Sequence, residues 1–600
     1  MERPPHGQWI NVPNRSIKVP KMIKRNSDRR SRSEYGATQP TTNTTSGLVN
    51  AEAENDQIEQ GATTYGHGNF QRRIFCYNIL ALVVLQCHNQ VFAFISPSVG
   101  HWCKPSRRFA NLSAALWKNA AIPVDDEGHY SECLVYVYPG HVNDTTVKRC
   151  DSWEYAAGET ELSVLSFWNI VCYRTWLSSL AEVVYRSGAL FIPVAGYVAD
   201  MSGRQPVITT AVLSLVLSTI AGCFTESFAI YLATRFINSA CASTVQMLTL
   251  IVLFEVIPLE FRTYYIGFAC SLGVLVAELF FLLLKLFYHS IGWFFAQIIA
   301  LTPTVLLLSA PLVICESPIW LMSMGHIKEA DAIMLKAARI NGVQRENAEN
   351  ALKAIKNDMS RSDASLSRGV TPWAIVTPGV IRVRAISVFF SNFTIMFAFF
   401  IITRSTRLHG DTNATHIASV LLLAPSYLAM YCALNSCGRL KLLTVLLALL
   451  GGLSTICGIA IYARPVEVSY VLVIVARALV TVLIPTNYLY IIELFPTALR
   501  SAVVCGAYSC GRVGAVLAAS LMPIKYAGRE DVCFALAAMA AFANLVVVIQ
   551  LPETSVGIKA TEEVKKHKDL LEVMQRSLSP LRPKRRRMRG KIAGASSNEP

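Results

Sequence analysis

The residues best placed to do chemistry in this 600-residue chain are charges set inside long apolar runs. Arg512 stands in Ser509-Cys510-Gly511-Arg512-Val513-Gly514, twelve residues past Arg500. At about 1.5 Å per helical residue it lies about 18 Å into its run, near a bilayer midplane. An ionised side chain at that depth is costly and marks a candidate binding residue. A guanidinium keeps its charge and can hold a carboxylate through two hydrogen bonds, so an organic anion suits it. The other use of such an arginine is an ion pair that ties two helices. Arg186 is a second candidate, with Glu182 one turn earlier on the same face, where an i, i+4 pair would blunt both charges. Glu278 is a third, expected to pair with Arg186 or Arg512 or to bind a proton. The cluster Cys87-His88-Asn89-Gln90 contributes His88 and Gln90, and Thr486-Asn487-Tyr488 contributes Asn487 and Tyr488. His88 can titrate near neutral pH or serve as a hydrogen-bonded packing residue. Arg235 and Arg477 stand nearer the outer ends of their runs and are expected to reach the interface.

The elements that carry these residues follow from composition. Charged residues are 16% of the chain, against about 25% in soluble proteins, and mean hydropathy is +0.39. This points to one integral membrane body rather than several soluble domains. Twelve runs are apolar enough to cross a bilayer: 74–96, 176–199, 206–224, 229–254, 264–285, 292–314, 384–404, 416–437, 440–462, 468–491, 501–523 and 531–551. The expected fold is all-α, with twelve transmembrane helices in two six-helix halves. A polar arm over 1–73 comes first, disordered over about 1–70, then a first half over 74–314 containing the long loop 97–175. A central loop over 315–383, a second half over 384–551 and a basic tail over 552–600 complete the chain.

Net charge is +15 and concentrates at the two ends. The arm carries Arg15, Lys18, Lys21, Lys24, Arg25, Arg29, Arg30 and Arg32, with Arg72 and Arg73 against the first run. The tail carries Lys584, Arg585, Arg586, Arg587, Arg589 and Lys591. Basic flanks stay inside, and an even number of spans places both termini in the cytosol. The basic tails suit anionic lipid rather than nucleic acid, which would need them on a soluble domain. No apolar stretch precedes residue 74, so the first run is expected to act as its own insertion signal. The loop 97–175 then lies outside. It holds the glycosylation acceptors Asn111 and Asn143, and Asn413 is a third acceptor in the loop after the seventh run. It also holds Cys103, Cys133, Cys150 and Cys172, an even number in an oxidising compartment. Two disulfides are expected there, with three possible connectivities.

The halves repeat. Glu255-Val-Ile-Pro258-Leu-Glu-Phe-Arg262 and Glu493-Leu-Phe-Pro496-Thr-Ala-Leu-Arg500 follow the fourth and tenth runs. Asp200-Met-Ser-Gly203-Arg204 and Asn435-Ser-Cys-Gly438-Arg439 follow the second and eighth. Two matches in the same order indicate duplication, the architecture of proteins whose halves rock about a central site. Gly196 permits close helix approach. Asp200 suits a helix N-terminus. Arg204, Glu255, Arg262, Glu316, Glu493 and Arg500 have the signs for ion pairs that break when a gate opens; the plainer use of these charges is to set topology. The chain contains no Walker loop, nucleophile elbow or metal-binding helix motif. No enzyme activity, cofactor or metal is therefore expected.

With these motifs in hand, the chain resembles the major facilitator superfamily, and within it the organic cation, anion and carnitine transporters of solute carrier family twenty-two. The resemblance covers about 70–555. It rests on Gly196-Tyr-Val-Ala-Asp200-Met-Ser-Gly203-Arg204, His101-Trp-Cys103, Cys150-Asp-Ser-Trp153-Glu-Tyr155, Glu316-Ser317-Pro318-Ile319-Trp320-Leu321, Ala337-Ala338-Arg339-Ile340-Asn341-Gly342, Glu493-Leu-Phe-Pro496-Thr497 and Leu551-Pro552-Glu553-Thr554. It implies a plasma-membrane transporter of small organic ions working by alternating access. Relatives handling anions or carnitine resemble this chain in having arginine at the position of Arg512. Met201, Gln205 and Ile319 replace residues usually basic in the family, Asn435 replaces an acid, and Phe397-Ala-Phe399-Phe400 stands in for a glycine-containing aromatic pair. These departures motivate the alternative of a transport-silent receptor or scaffold that keeps the fold. Substrate, coupling ion and oligomeric state are not legible at this level.

Overall fold

Backbone polar groups find no water in hydrocarbon, so an apolar run that crosses a bilayer has to satisfy them within a helix. The computed structural model of the protein, which describes residues 65–125, 128–139, 146–156, 163–361, 379–406, 412–463, 466–521 and 528–554, is built that way. Every described residue falls in one unit, residues 47–600. Ten of the described helices are long and apolar enough to cross a membrane. They are α1 (Asn69–Ile95), α3 (Arg204–Phe224), α4 (Phe228–Val256), α5 (Phe261–Tyr288), α6 (Ser290–Val313), α7 (Val380–Thr406), α9 (Arg439–Ala463), α10 (Val466–Leu494), α11 (Thr497–Ser520) and α12 (Glu530–Val548). The other two expected spans, α2 and α8, are helical as well. In α2 the helix is interrupted: Trp176–Gly188 and Ile192–Ser202 are joined by a 3-10 turn, Ala189–Phe191. Helix α8 (Thr412–Ser436) is 25 residues long and carries Pro425 within it. Helix α8 begins at Thr412, so Asn413 lies in its first turn rather than in the loop expected there.

Helices α5 and α6 run on from each other through a kink at Gly292, whose φ of 69° is the left-handed region glycine tolerates. Large apolar side chains point outward along the bundle, with Leu217 69% and Leu312 88% exposed, as lipid-facing residues should be. Inside, α1 packs on α4 and α5 in the first half, and α7 packs on α10, α11 and α12 in the second. The halves meet where α2 lies against α11. A Cβ at Gly196 would stand 2.6 Å from the Ser501 carbonyl oxygen, so this crossing depends on the missing side chain.

The loop over 97–175 forms a small apolar cluster around Trp102, Trp117, Ile122, Val135 and Trp153. Strand β1 (His101–Cys103) pairs with β4 (Trp153–Tyr155), and β2 (Leu134–Tyr136) with β3 (Val147–Arg149), both antiparallel. Disulfides join Cys103 to Cys150 and Cys133 to Cys172. His101 lies close to Cys133 and Cys172 in a grouping that could hold a metal, but the two sulfurs are already bonded to each other. Asn111 is exposed; Asn143 lies outside the described residues.

At the opposite end of the bundle, residues 65–68 are docked. Tyr65 is fully buried and donates to the Val256 carbonyl at 3.1 Å. Asn341 of the central loop donates to the Tyr65 and Gly66 carbonyls and accepts from Phe70 N. His67 stacks on Phe261 and lies 2.5 Å from the Tyr265 hydroxyl. Burial and the neighbouring Arg72 hold the His67 imidazole below its ordinary pKa.

Candidate functional site

The end of the bundle away from the 97–175 loop is closed by charge. Helix α2 ends at Gly203, whose φ of 102° turns the chain directly into α3. That turn places Arg204, wholly buried, 3.1 Å from Asp200 and 3.4 Å from Glu255, with a 2.8 Å hydrogen bond to the Thr497 carbonyl. Asp200 in turn accepts from Ser501 N at 3.3 Å and Ala502 N at 2.8 Å, in the first turns of α11, where the helix dipole favours an acid. Glu255 also holds Arg500 at 2.9 Å, and Arg500 donates to the Ile492 carbonyl. This network joins α2, α3 and α4 of the first half to α11 of the second.

A counterpart lies in the second half. Arg439 pairs with Glu493 at 3.2 Å and donates to Thr263 of the first half at 2.6 Å. Glu316 accepts from Arg204 N and Gln205 N at the start of α3, at 2.9 and 3.0 Å. Glu553 does the same for Leu440 N and Lys441 N at the start of α9. The two caps are related as the halves are, and each closes against a glycine: a Cβ at Gly203 would stand 2.5 Å from Glu316 Oε2, and one at Gly438 2.4 Å from Glu553 Oε2. Arg262 donates to the Ile257 carbonyl and lies over the Phe254 ring. At two of the departures, Ile319 is buried in the core and Met201 is exposed.

Toward the other end, the helices diverge around a cavity of about 480 Å³ lined by both halves. Four arginines, Arg186, Arg404, Arg477 and Arg512, and two glutamates, Glu182 and Glu278, reach it. Aromatic groups from Tyr185, Phe399, Phe400, Tyr427, Tyr488 and Tyr508 fill much of the remaining wall. Arg512 is hydrogen bonded to the Tyr508 hydroxyl, one turn before it, and to Asn89 Oδ1 at 3.2 Å, both neutral groups. Arg186 pairs with Glu182 at 2.7 Å and lies over the Phe400 ring.

Of the seven residues expected to bind substrate, the fold brings Arg512, Gln90, Tyr488, Arg186 and Glu278 to this cavity. His88 and Asn487 are turned away from it. The His88 ring, fully buried, lies 3.2 Å from the Thr304 hydroxyl. Asn487 is absorbed in a buried amide and hydroxyl cluster with Ser391 and Asn392. Glu278 pairs neither with Arg186 nor with Arg512 but with Arg477, at 3.7 Å, and accepts from Gln90 at 3.2 Å. Arg477 and Arg235 do not reach the interface. Arg477 lines the cavity, and Arg235 is buried, bonded to the His88 carbonyl at 2.9 Å and lying 4.1 Å over Tyr185. Depth along a helix does not fix which way a side chain points; helix rotation does. Arg477, Thr481, Ile484 and Tyr488 recur at helical spacing on one face of α10, so the sequence spacing that puts Tyr488 at the cavity also puts Arg477 there. Tyr508, four residues before Arg512, carried the same signal.

Residues 136–564 match the family model described as sugar (and other) transporter. The chain is 24% identical over 487 residues to solute carrier family 22 member 6 of Oryctolagus cuniculus, covering 78% of this chain and 85% of that one. It is 25% identical over 508 residues to the organic cation transporter protein of Drosophila melanogaster, covering 81% and 90%. Organic anion transporter 3 of Oryctolagus cuniculus is 28% identical over 291 residues, 47% of this chain and 51% of that one. Among solved structures, the major facilitator superfamily proton:xylose symporter XylE bound to 6-bromo-6-deoxy-D-glucose superimposes with a TM-score of 0.58 at 14% identity, over 81% of this chain and 97% of that one.

Proposed function

The chain belongs to the sugar (and other) transporter family, within the major facilitator superfamily, and from that premise we propose that it carries small organic anions or zwitterions across the plasma membrane by alternating access. Relatives named for organic anions and for organic cations are both similar to it, so their names leave the sign of the substrate open. The cavity supports one sign. Its lining carries two more arginines than glutamates, and Arg512 is bonded there to neutral oxygens. A guanidinium neutralised by no carboxylate among its hydrogen-bond partners retains its attraction for a carboxylate or sulfonate, and the desolvated wall strengthens it. The aromatic side chains suit an apolar body attached to that anion.

In this reading Arg512, Gln90, Tyr488, Arg186 and Glu278 contact or orient the substrate. The Asp200–Arg204–Glu255–Arg500 network is the cytosolic gate, and both termini lie in the cytosol. The closed gate, with a cavity lining that reaches Ser96 and Ser178 beside the 97–175 loop, suits an outward-facing state. The cycle exchanges it for one in which the ion pairs part and α2 and α11 separate at Gly196. The departures at 201, 205 and 319 leave the central pairs standing, which favours a working cycle over a transport-silent scaffold.

The test is uptake in cells expressing the chain, with labelled aromatic carboxylates, quaternary ammonium cations and carnitine. Saturable anion or carnitine uptake is expected. Saturable cation uptake without anion uptake would overturn the assignment, and no uptake of any class would favour the silent scaffold.

A further inference from the structure

Four side chains that can ligate a metal converge in the 97–175 loop from three separate segments. His101 is the first residue of β1, Glu132 and Cys133 lead into β2, and Cys172 shortly precedes the start of α2 at Trp176. The ligand atoms of His101, Cys133 and Cys172 all lie within 4.8 Å of one another. His101 Nε2 is 3.6 Å from Cys172 Sγ and 3.8 Å from Glu132 Oε2. Zinc–sulfur bonds of about 2.3 Å and zinc–nitrogen or zinc–oxygen bonds of about 2.1 Å, at tetrahedral angles, put N and S about 3.6 Å apart and N and O about 3.4 Å apart. The spacing present is close to the edges of that tetrahedron. The ring is also prepared for the role. His101 Nδ1 lies 2.9 Å from the Val99 carbonyl, which can only accept, so Nδ1 carries the hydrogen. In the neutral ring the lone pair is then on Nε2, toward Cys172 and Glu132. An N–H held by a carbonyl is how proteins fix the tautomer and orientation of metal-binding histidines. Only 9% of the His101 side chain is exposed, so the ring is packed in place. What closes the site is the Cys133–Cys172 bond. The two disulfides differ in access: Cys103 and Cys150 are buried, whereas Cys133 and Cys172 are half-buried, so a thiol reductant reaches the second bond first.

We propose that the Cys133–Cys172 disulfide and a zinc ion are interchangeable staples: once the bond is reduced, Cys133, Cys172, His101 and Glu132 bind zinc and hold the loop together. The reductant is a dithiol, either a small molecule or the paired cysteines of an oxidoreductase. Its thiolate attacks one sulfur of the bond, the other sulfur leaves as a thiolate, and the second thiol of the reductant then closes the reductant's own disulfide. The reductant loses two electrons, the protein gains two thiols, and zinc binding releases the two thiol protons to water. The freed sulfurs move apart to non-bonded contact, about 3.7 Å, which is also the S···S edge of a tetrahedral zinc site. Two thiolates, an imidazole and one carboxylate suit zinc, whereas calcium and magnesium take oxygen ligands. Either staple ties β1 and the approach to β2 to the start of α2, whose Glu182 and Arg186 line the cavity. The proposal does not depend on the substrate of the cavity.

The full-length protein in detergent, reduced with a dithiol and then freed of it without oxygen, tests this by titration with zinc sulfate against a chromophoric chelator. Reduced wild type should bind one zinc ion per chain more than the oxidised protein does. His101→Ala leaves both disulfides free to form, so its folding is checked in the oxidised state. It should weaken the added zinc binding at least about 100-fold, since partners outside the ligand set alone are worth about 10- to 100-fold. Cobalt in place of zinc should give a thiolate charge-transfer band and tetrahedral visible bands in reduced wild type, and the visible bands should shift in Glu132→Gln. Alkylation mapped by mass after brief reduction should mark Cys133 and Cys172 before Cys103 and Cys150, and zinc should protect the first pair. No added zinc on reduction, equal affinity in His101→Ala, visible bands unmoved in Glu132→Gln, or Cys103 and Cys150 alkylated first overturns the proposal.

Discussion

Arg500 and Arg512 ride on the same helix, α11, about 18 Å apart along its axis, and their surroundings are opposite in kind. Arg500 is held by the Glu255 carboxylate and the Ile492 carbonyl in a network that also contains Arg204 and Asp200. Arg512, also buried, is bonded to a tyrosine hydroxyl and an asparagine oxygen beside a cavity. A buried charge with its counterion in place holds two helices together. A buried charge held by neutral groups remains available to a charged ligand. Under the proposed function, the first serves to close the bundle and the second to meet what the bundle encloses.

The sharpest way to break that contrast is to remove the carboxylate at the gate. Glu255→Ala strips a shared acceptor from Arg204 and Arg500, and stranding buried charges of this kind costs about 3–5 kcal/mol. The expected result is loss of folded protein, seen as reduced surface biotinylation and a lower melting midpoint after solubilisation. Arg512→Ala should do the reverse: surface level is kept and anion uptake falls about tenfold or more, since each factor of ten is worth about 1.4 kcal/mol. Arg512→Lys should rescue only part, because an ammonium lacks the planar two-donor fork. If Arg512→Ala is instead lost from the surface, the two arginines serve the same purpose and the contrast fails.

A smaller effect compares the halves. Gly203→Ala meets both the Glu316 carboxylate and a φ of 102°, while Gly438→Ala meets only the Glu553 carboxylate, its φ lying outside the left-handed region. With ψ at 157° as well, this is backbone essentially confined to glycine, and the conformational component costs about 1–3 kcal/mol. Gly203→Ala should therefore lower the melting midpoint more than Gly438→Ala; equal shifts would mean that the side-chain clash dominates.

The smallest expected effect is at His67, where packing lowers the pKa. The neutral ring is the one the folded segment favours. The contribution is therefore present above the ordinary value of about 6.5 and is lost as pH falls below it. Amide exchange over residues 65–71 should quicken modestly under acid, and His67→Phe should remove that pH dependence while keeping the stack on Phe261.

The span pattern, the duplicated motifs and the signs of the charges that pair at the closed end of the bundle are legible in the sequence, because hydropathy is a local sum and a motif is a local string. Among the described residues, ten helices meet the length and apolarity criterion. The apolar run over α2 still registers as a span although its helix is interrupted at Ala189–Phe191. Tertiary structure decided helix rotation and partner choice. It turned His88 toward Thr304 while its neighbours Asn89 and Gln90 face the cavity, a difference of one residue that composition cannot register. It brought Glu278 to Arg477 rather than to Arg186 or Arg512, and it selected Cys103–Cys150 and Cys133–Cys172 from three possible connectivities. The energy of a buried charge depends on the groups within a few ångströms of it, and here those groups come from helices far apart in the chain.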